Sequence, residues 1–374
     1  MSNVFRVFPN DGIPPFVEYA EGLYIHTRDG RKLLDTTAGS TSFSILGWSH
    51  PQVLKAMHKQ MKRFTHMDYK VWSDQNVEDL ASLLVSRAEH GLNRVYFAGN
   101  SGAEACEAAM KMSYQVHYDL GKKEKSWFIS REQSYHGSTL DALAMGERPN
   151  LAFYNPLLPR NRAKVSQHHP LHMMHEGETV DEYARRSAKE LEDKILEIGS
   201  EKICAFVGET IMGGLVGDVP PAPNYWRYIR EVCDKYDVHL ILDEVYCGTG
   251  SSGKVYCCDW DGITPDFLFV GKTLSAGYAP INAVFTTDDI YNAIKSGQGR
   301  LQHTTTHQAH SLGIAAAIAV QKIIHTDDML AHINSLGSYM RNVLENELKN
   351  TAYYCDVRGR GLRFSFEYIC THKN

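Results

Sequence analysis

A lysine able to do covalent chemistry stands in the stretch Asp266-Phe267-Leu268-Phe269-Val270-Gly271-Lys272-Thr273-Leu274-Ser275-Ala276-Gly277-Tyr278. The apolar run between Pro265 and Gly271 has the composition of a buried strand, so Lys272 follows directly on its carboxyl end, in a turn of small residues. Such a lysine can be an ordinary solvated loop residue. Gly271-Lys272-Thr273 also matches the close of a phosphate-binding P-loop, but the first glycine of that motif would fall on Asp266 and the loop residues are apolar. The sharper reading is an amine in a partly dehydrated site, its basicity lowered so that it can condense with a carbonyl cofactor.

Other chemistry-bearing residues also follow strand-like runs. Arg94 to Ala98 leads into Gly99-Asn100-Ser101-Gly102-Ala103-Glu104-Ala105, where Ser101 can cap a helix. Gly102 would let backbone N–H groups approach an anion at the positive helix end, although an ordinary capped helix reads the same way. Ser126 to Ser130 leads into Tyr135-His136-Gly137, where the tyrosine can stack on a flat heteroaromatic ring or pack in the core. Val238 to Leu242 ends at Asp243-Glu244-Val245; a carboxylate there is costly without a cation, which could be a protonated pyridine nitrogen, a metal or an arginine. Glu209, after Ile203 to Val207, stands in an equivalent position. An anion cradle, an aromatic face, an acid and a lysine together are what pyridoxal phosphate requires.

Two patterns argue elsewhere and fail. Gly248-Thr249-Gly250-Ser251-Ser252-Gly253 fits G-x-G-x-x-G, but no amphipathic helix follows it. His168, His169, His172 and His175 surround Pro170 without a carboxylate pattern, which favours a polar surface insertion over a metal centre. Trp48, Tyr69 and Trp72 can line an aromatic substrate pocket or pack in the core.

The elements that must position these groups alternate. Strands at Arg94–Ala98, Ser126–Ser130, Ile203–Val207, Val238–Leu242, Asp266–Val270 and Ile281–Phe285 are interleaved with helices at Ala103–Tyr114, Glu182–Ile198 and Tyr225–Tyr236. This predicts an α/β domain, a mainly parallel sheet with helices on both faces and ligands beyond the carboxyl ends of the strands. Ahead of it, helices are expected from Pro51 to Met61 and Glu78 to Ala88. After it come helices at Ser311–Ile324 and Asp328–Lys349 and a strand-like tail, Cys355 to Glu367. The expected division is residues 1–45 and 305–374 for a small α+β domain built from both termini, and 46–304 for the large domain.

Composition sets the class. The 374 residues are 43% hydrophobic and 22% charged, which is ordinary for a globular protein. A net charge of -5 gives no basic footprint for nucleic acid or a membrane surface. No secretory h-region opens the chain and no apolar run is long enough to span a bilayer, so a cytoplasmic location is expected. Cys106, Cys204, Cys233, Cys247, Cys257, Cys258, Cys355 and Cys370 contain no C-x-x-C pair, and buried thiols are expected of them.

Nearly the whole chain, from Gly30-Arg31-Lys32-Leu33-Leu34-Asp35 and Gly47-Trp48-Ser49-His50-Pro51 onward, resembles the class III pyridoxal-phosphate aminotransferases, which include ω-aminotransferases. The most specific matches are Asn100 to Ala105, Tyr135-His136-Gly137, Leu242-Asp243-Glu244-Val245, Pro265-Asp266 through Gly271-Lys272, and Val357-Arg358-Gly359-Arg360-Gly361-Leu362. The resemblance implies fold type I and a homodimer with its sites at the subunit interface. It would make Lys272 the lysine joined to the cofactor, Asp243 the partner of the pyridine nitrogen and Tyr135 the stacking ring. Ser101, Gly102 and Ala103 would bind the phosphate, with His136, Glu209 and Val245 around the ring. Thr306 would reach the cofactor of the neighbouring subunit. Implied substrates are an amine or amino acid and a keto acid, pyruvate or 2-oxoglutarate, with ping-pong kinetics. Departures are Tyr246 and Ser251, where relatives often carry glutamine and arginine. The sequence also stops at Asn374, earlier than relatives do, so a shortened small domain without their carboxylate-binding arginine is expected. The alternatives on the same scaffold are an aminomutase or racemase, and a catalytically weak cofactor-binding paralogue.

Overall fold

A computed structural model describes residues 3–89 and 91–368, and of Cys355 only the backbone. Strands β1 (Val17–Glu21), β2 (Tyr24–Thr27) and β3 (Lys32–Leu34) form an antiparallel three-stranded sheet. Helices α1 (Pro51–Met61) and α2 (Gln75–Ser86) follow, the first opened by Pro51, whose missing N–H costs nothing at a helix start. Then come β4 (Arg94–Tyr96), α3 (Gly102–Asp119), β5 (Trp127–Arg131), α4 (Leu140–Met145), β6 (Arg162–Val165), α5 (Pro170–Met173) and α6 (Val180–Ile198). The latter is fixed at its start by a reciprocal cap: Glu182 N donates to Thr179 Oγ1 at 3.3 Å, and Thr179 N to Glu182 Oε2 at 2.8 Å. The chain continues with β7 (Ile203–Glu209), α7 (Tyr225–Lys235), β8 (His239–Asp243), β9 (Phe267–Val270), β10 (Ala283–Thr286) and α8 (Asp288–Ser296). It ends in α9 (Ser311–Ile324), α10 (Asp327–Leu348), β11 (Tyr354–Arg360) and β12 (Arg363–Tyr368).

The central sheet has seven strands in the order β4-β10-β9-β8-β7-β5-β6. Pairings among β9, β8, β7, β5 and β6 are parallel, while β10 is antiparallel to both β9 and β4. Two reversals cancel, so β4 runs with the parallel set and all the strand ends that carry candidate residues lie along one edge. β8 and β9 are apolar on both faces because both are covered. Leu240, Leu242, Leu268 and Val270 pack with Tyr183, Leu191, Ile195 and Ile229 of α6 and α7. Ile241, Phe267 and Phe269 pack with Ala105, Ala109, Met112 and Val116 of α3. Each fully buried phenylalanine contributes about 1.5–3 kcal/mol by its removal from water.

The expected mainly parallel α/β sheet is therefore present, and the expected elements recur with ends shifted by a few residues. The tail differs: Cys355 to Glu367 is two strands of a hairpin. Gly361 turns the chain between them at φ +56°, where a side chain would also strike the Ser252–Gly253 backbone. Among the described residues, no helix is long and apolar enough to cross a membrane. Cys106, Cys204, Cys233, Cys247, Cys257 and Cys258 are buried free thiols; Cys370 lies outside the described residues.

Buried histidines give the fold a pH dependence. His117 and His239 stack at 4.1 Å between α3 and β8, and burial pushes each down to about 3. An unfolded chain takes up these protons below about pH 6.5 while the folded one refuses them, so their stabilising contribution is complete above pH 6.5 and is lost as the pH falls toward 3. His117→Phe keeps a ring in place and removes one such site. Urea unfolding at pH 7 and pH 5.5 is expected to show the stability gap between wild type and variant shifting by about 1 kcal/mol in the variant's favour at the lower pH; a gap independent of pH would contradict this.

Candidate active site

Four of the expected residues meet at one sheet edge because their strands are neighbours. In the register of the sheet, Glu209 stands beside Asp243 and Asp243 beside Phe269, three residues before Lys272. Asp243 is 5% exposed. Its Oδ1 accepts from Val245 N at 2.9 Å, and its Oδ2 lies 2.8 Å from His136 Nδ1. Among the described residues, His136 Nε2 is buried without a hydrogen-bond partner. Glu209 is tied to Tyr135 N at 3.1 Å and Gly213 N at 3.0 Å; burial nonetheless pushes its carboxyl above the usual range, opposed by His136 and reinforced by Asp243.

Lys272 has lowered basicity. Burial drives it below an ordinary lysine, Asp243 pulls it back and the guanidinium of Arg363 pushes it further down. Its backbone has φ +31°, a conformation that side chains other than glycine rarely adopt and that commonly marks a functional site. Its Nζ lies 5.3 Å from the centroid of the Tyr246 ring.

The start of α3 closes the arrangement. Val245 packs between Gly102 and Gly271: a Cβ on Gly102 would lie 2.6 Å from Val245 Cγ1, and one on Gly271 3.5 Å from Gly102 N. Ser101 caps α3, with Glu104 accepting from Ser101 N at 3.0 Å, so the first N–H groups of the helix beyond it remain for an anion. Ala103 lies behind, against Gly137. The ring of Tyr135 is 36% exposed, with the Arg148 guanidinium 5.4 Å from its centroid. Thr306 is exposed and is not part of this cluster; its carbonyl accepts from His66 Nε2 at 2.9 Å, while Thr305 Oγ1 donates to Ala98 O at 2.7 Å.

Sequence reasoning missed several supporting groups. Asn282 is wholly buried: its Oδ1 accepts from Ala98 N and Gly99 N at 3.0 and 3.1 Å, and its Nδ2 donates to Ser101 O at 2.6 Å, which fixes the turn before α3. Its signal was one amide inside an apolar run. Arg131, 1% exposed, donates to Glu209 O and lies against Tyr225 and Trp226. Arg363, at the start of β12, comes from nearly a hundred residues further along the chain than Lys272 and nothing local announced it.

Three expectations are revised or resolved. The histidines do not form a polar surface insertion: His168 is buried between Tyr183 and Tyr225 and accepts from Ala222 N at 3.0 Å, and His169 is also buried. His172 pairs with Glu367 Oε1 at 2.6 Å, while Arg358 takes Glu367 Oε2 at 2.7 Å, so a carboxylate the sequence did not suggest is already engaged on both oxygens. The turns of 248–253 are followed by a short 3-10 helix at Cys257–Trp260, as the missing helix pattern predicted. Of the aromatic trio, Trp48 is half-buried and bonds Asp35 Oδ2 at 3.2 Å, whereas Trp72 is 64% exposed.

Comparison with known proteins decides what this geometry belongs to. A family model described as aminotransferase class-III matches residues 8–374. The chain belongs to the class III aminotransferases. It is 36% identical over 367 residues to an uncharacterized aminotransferase of Schizosaccharomyces pombe, spanning 98% of this chain and 79% of that protein. It is 31% identical over 361 residues to gamma aminobutyrate transaminase 2 of Solanum lycopersicum, spanning 95% and 78%. The crystal structure of the omega transaminase from Pseudomonas jessenii in complex with PMP superposes with a TM-score of 0.91 at 30% identity, spanning 99% of this chain and 82% of that one. The protein is therefore a pyridoxal-phosphate-dependent aminotransferase of fold type I.

The residues present fit that cofactor. A buried carboxylate already held by two donors, a lysine with weakened basicity and free helix N–H groups supply one partner for each polar end of the molecule. Gly102 is a tight point of the cradle. Gly102→Ala forces its methyl into Val245 and is expected to weaken cofactor retention or stability by about 1–3 kcal/mol. Adding Val245→Ala should restore most of the loss, as read by cofactor titration and thermal unfolding; no rescue would remove Val245 as the cause.

Proposed function

We propose that Lys272, Asp243, Tyr135 and the start of α3 form the working site for moving an amino group from a primary amine or amino acid to a keto acid, pyruvate or 2-oxoglutarate. The observation that carries this reading is the adjacency of Asp243 and Lys272 on neighbouring strand ends, where the Asp243 charge acts on the amine of Lys272. When bound, pyridoxal phosphate supplies a carbonyl carbon for the amine and a ring that takes up the electron pair left when a C–H proton departs. Ser101, Gly102 and Ala103 bind the phosphate through the helix start. Asp243, oriented by His136 and Val245 N, keeps a proton on the ring nitrogen, and Tyr135 covers one ring face. Glu209, anchored by Gly213 N, positions the Tyr135 backbone. Lys272 would yield its place to the incoming amine, leaving Nζ free to take the proton from the substrate carbon and return it to the carbon on the other side of the shared nitrogen. Water would then release the donor as a carbonyl compound, its oxygen replacing the nitrogen that stays behind, and the keto acid would take up the amino group by the same steps reversed, giving back the water.

The relatives named for gamma aminobutyrate and for omega-amine transfer support a donor whose amino group sits on a terminal or near-terminal carbon. Residues 1–45 and 305–374 would form the small domain against the large domain of 46–304, in a cytoplasmic homodimer whose Thr306 reaches the neighbouring phosphate. The exposure of Thr306 and the six unpaired buried thiols support this reading.

Incubation with amines and keto acids tests the reaction, and subunit mixing tests the shared site. Lys272→Ala and Thr306→Ala proteins, each impaired alone, should regain activity when unfolded and refolded together, since one site of the hybrid then has both native residues. Cofactor binding without amino exchange for any pair would sink the catalytic reading, and no gain on mixing would sink the role of Thr306.

A further inference from the structure

We infer that Arg363 is the specificity-determining residue that receives a carboxylate of the reacting molecule. This rests on the site assigned above and goes further by naming the residue that recognises the carboxylate. Arg363 is 7% exposed, so its charge has been taken out of water. Among the described residues it forms no ion pair within 4.0 Å: its Nη2 donates to Ser42 O at 3.0 Å and its Nε is buried without a partner. A guanidinium in that state is unfavourable unless an anion joins it.

Its surroundings indicate where that anion enters. The Arg363 guanidinium lies 4.3 Å from the centroid of the Tyr246 ring and Lys272 Nζ lies 5.3 Å from the same centroid. Two cations thus border one aromatic ring at the reacting amine. The acid that faces this ring, Asp218, is 4% exposed; its Oδ2 is taken by Ser365 Oγ and its Oδ1 is buried without a hydrogen-bond partner, outside ion-pair distance of Arg363. Asp243 and Glu209 are committed to His136, Val245 N, Tyr135 N and Gly213 N.

The chain leading into this residue is also anchored, as selective recognition requires. Arg360 forms a two-pronged ion pair with Asp261 at 2.7 and 3.0 Å. Leu362 N donates to Ser251 O at 3.1 Å, and Arg358 donates to Val216 O and Gly217 O at 2.8 and 2.7 Å. These bonds fix β11 and the turn that lead into Arg363. A planar guanidinium placed there suits a planar carboxylate through paired N–H···O bonds. That carboxylate can belong to an amino acid donor or to the keto acid acceptor.

The two halves of the reaction distinguish these sources. With cofactor-loaded protein, kcat/KM is measured for 4-aminobutyrate against butylamine; with the aminated protein, for 2-oxoglutarate against butanal. Wild type should prefer the carboxylated member in at least one half. Arg363→Met should lower that preference roughly 10- to 100-fold, the range for losing a charged hydrogen bond, and Arg363→Lys should fall between the two. Loss in the first half assigns the donor carboxylate and loss in the second assigns the acceptor. A wild type that takes butylamine and butanal as readily as their carboxylated counterparts overturns the inference even if neither variant folds, as does an unchanged preference in a folded Arg363→Met. Absence of exchange with every amine and acceptor would instead overturn the transaminase assignment of the site.

Discussion

Lys272→Ala is expected to abolish turnover, with kcat falling at least about 10³-fold, because in the proposed reaction one side chain is both the covalent partner of the cofactor and the proton carrier. The fold should survive. Lys272 is only partly buried, and it has no hydrogen bond to other described residues that the change would orphan. Removing a dehydrated cation that sits near Arg363 also relieves repulsion, so thermal stability should hold or rise. Absorbance of the purified variant would show cofactor bound without its lysine link, and external amines such as ethylamine should restore part of the rate. Turnover within tenfold of wild type would remove Lys272 from the chemistry.

Asp243→Asn should lower kcat roughly 10²–10³-fold, the range for deleting one preorganised electrostatic partner in a dry site. Asparagine preserves volume and can still accept from Val245 N through its oxygen, so the protein should fold and retain the cofactor. What it lacks is the negative charge proposed to keep a proton on the ring nitrogen. A cofactor analogue methylated at that nitrogen carries the positive charge permanently, and it should rescue the variant but not improve wild type. An Asp243→Asn enzyme of normal rate, or one the analogue fails to rescue, would assign Asp243 a structural role alone.

Both predictions concern residues that short local signals revealed. Lys272 and Asp243 each follow an uninterrupted apolar run, and such a run can be satisfied only by burial on both faces of a sheet, so the charged residue that ends it is delivered to the carboxyl edge. The cap at Ser101 and the small residues after it were legible in the same way, since capping depends on a few consecutive residues. Asn282 and Arg363 were not, because a polar residue in an apolar segment or a hairpin has no local consequence that reveals its partner.

The sequence by itself determined the alternation of strands and helices, the family, and the lysine and carboxylate proposed here for the site, because periodicity, caps and turn residues act within a few positions of one another. Only the tertiary structure decided that β10 runs against its neighbours, that the expected histidine insertion is partly core, and that a guanidinium from the last described hairpin stands at the ring beside Lys272. Those outcomes depend on which distant surfaces must be buried against each other, and on where a charge is left without a partner once they are.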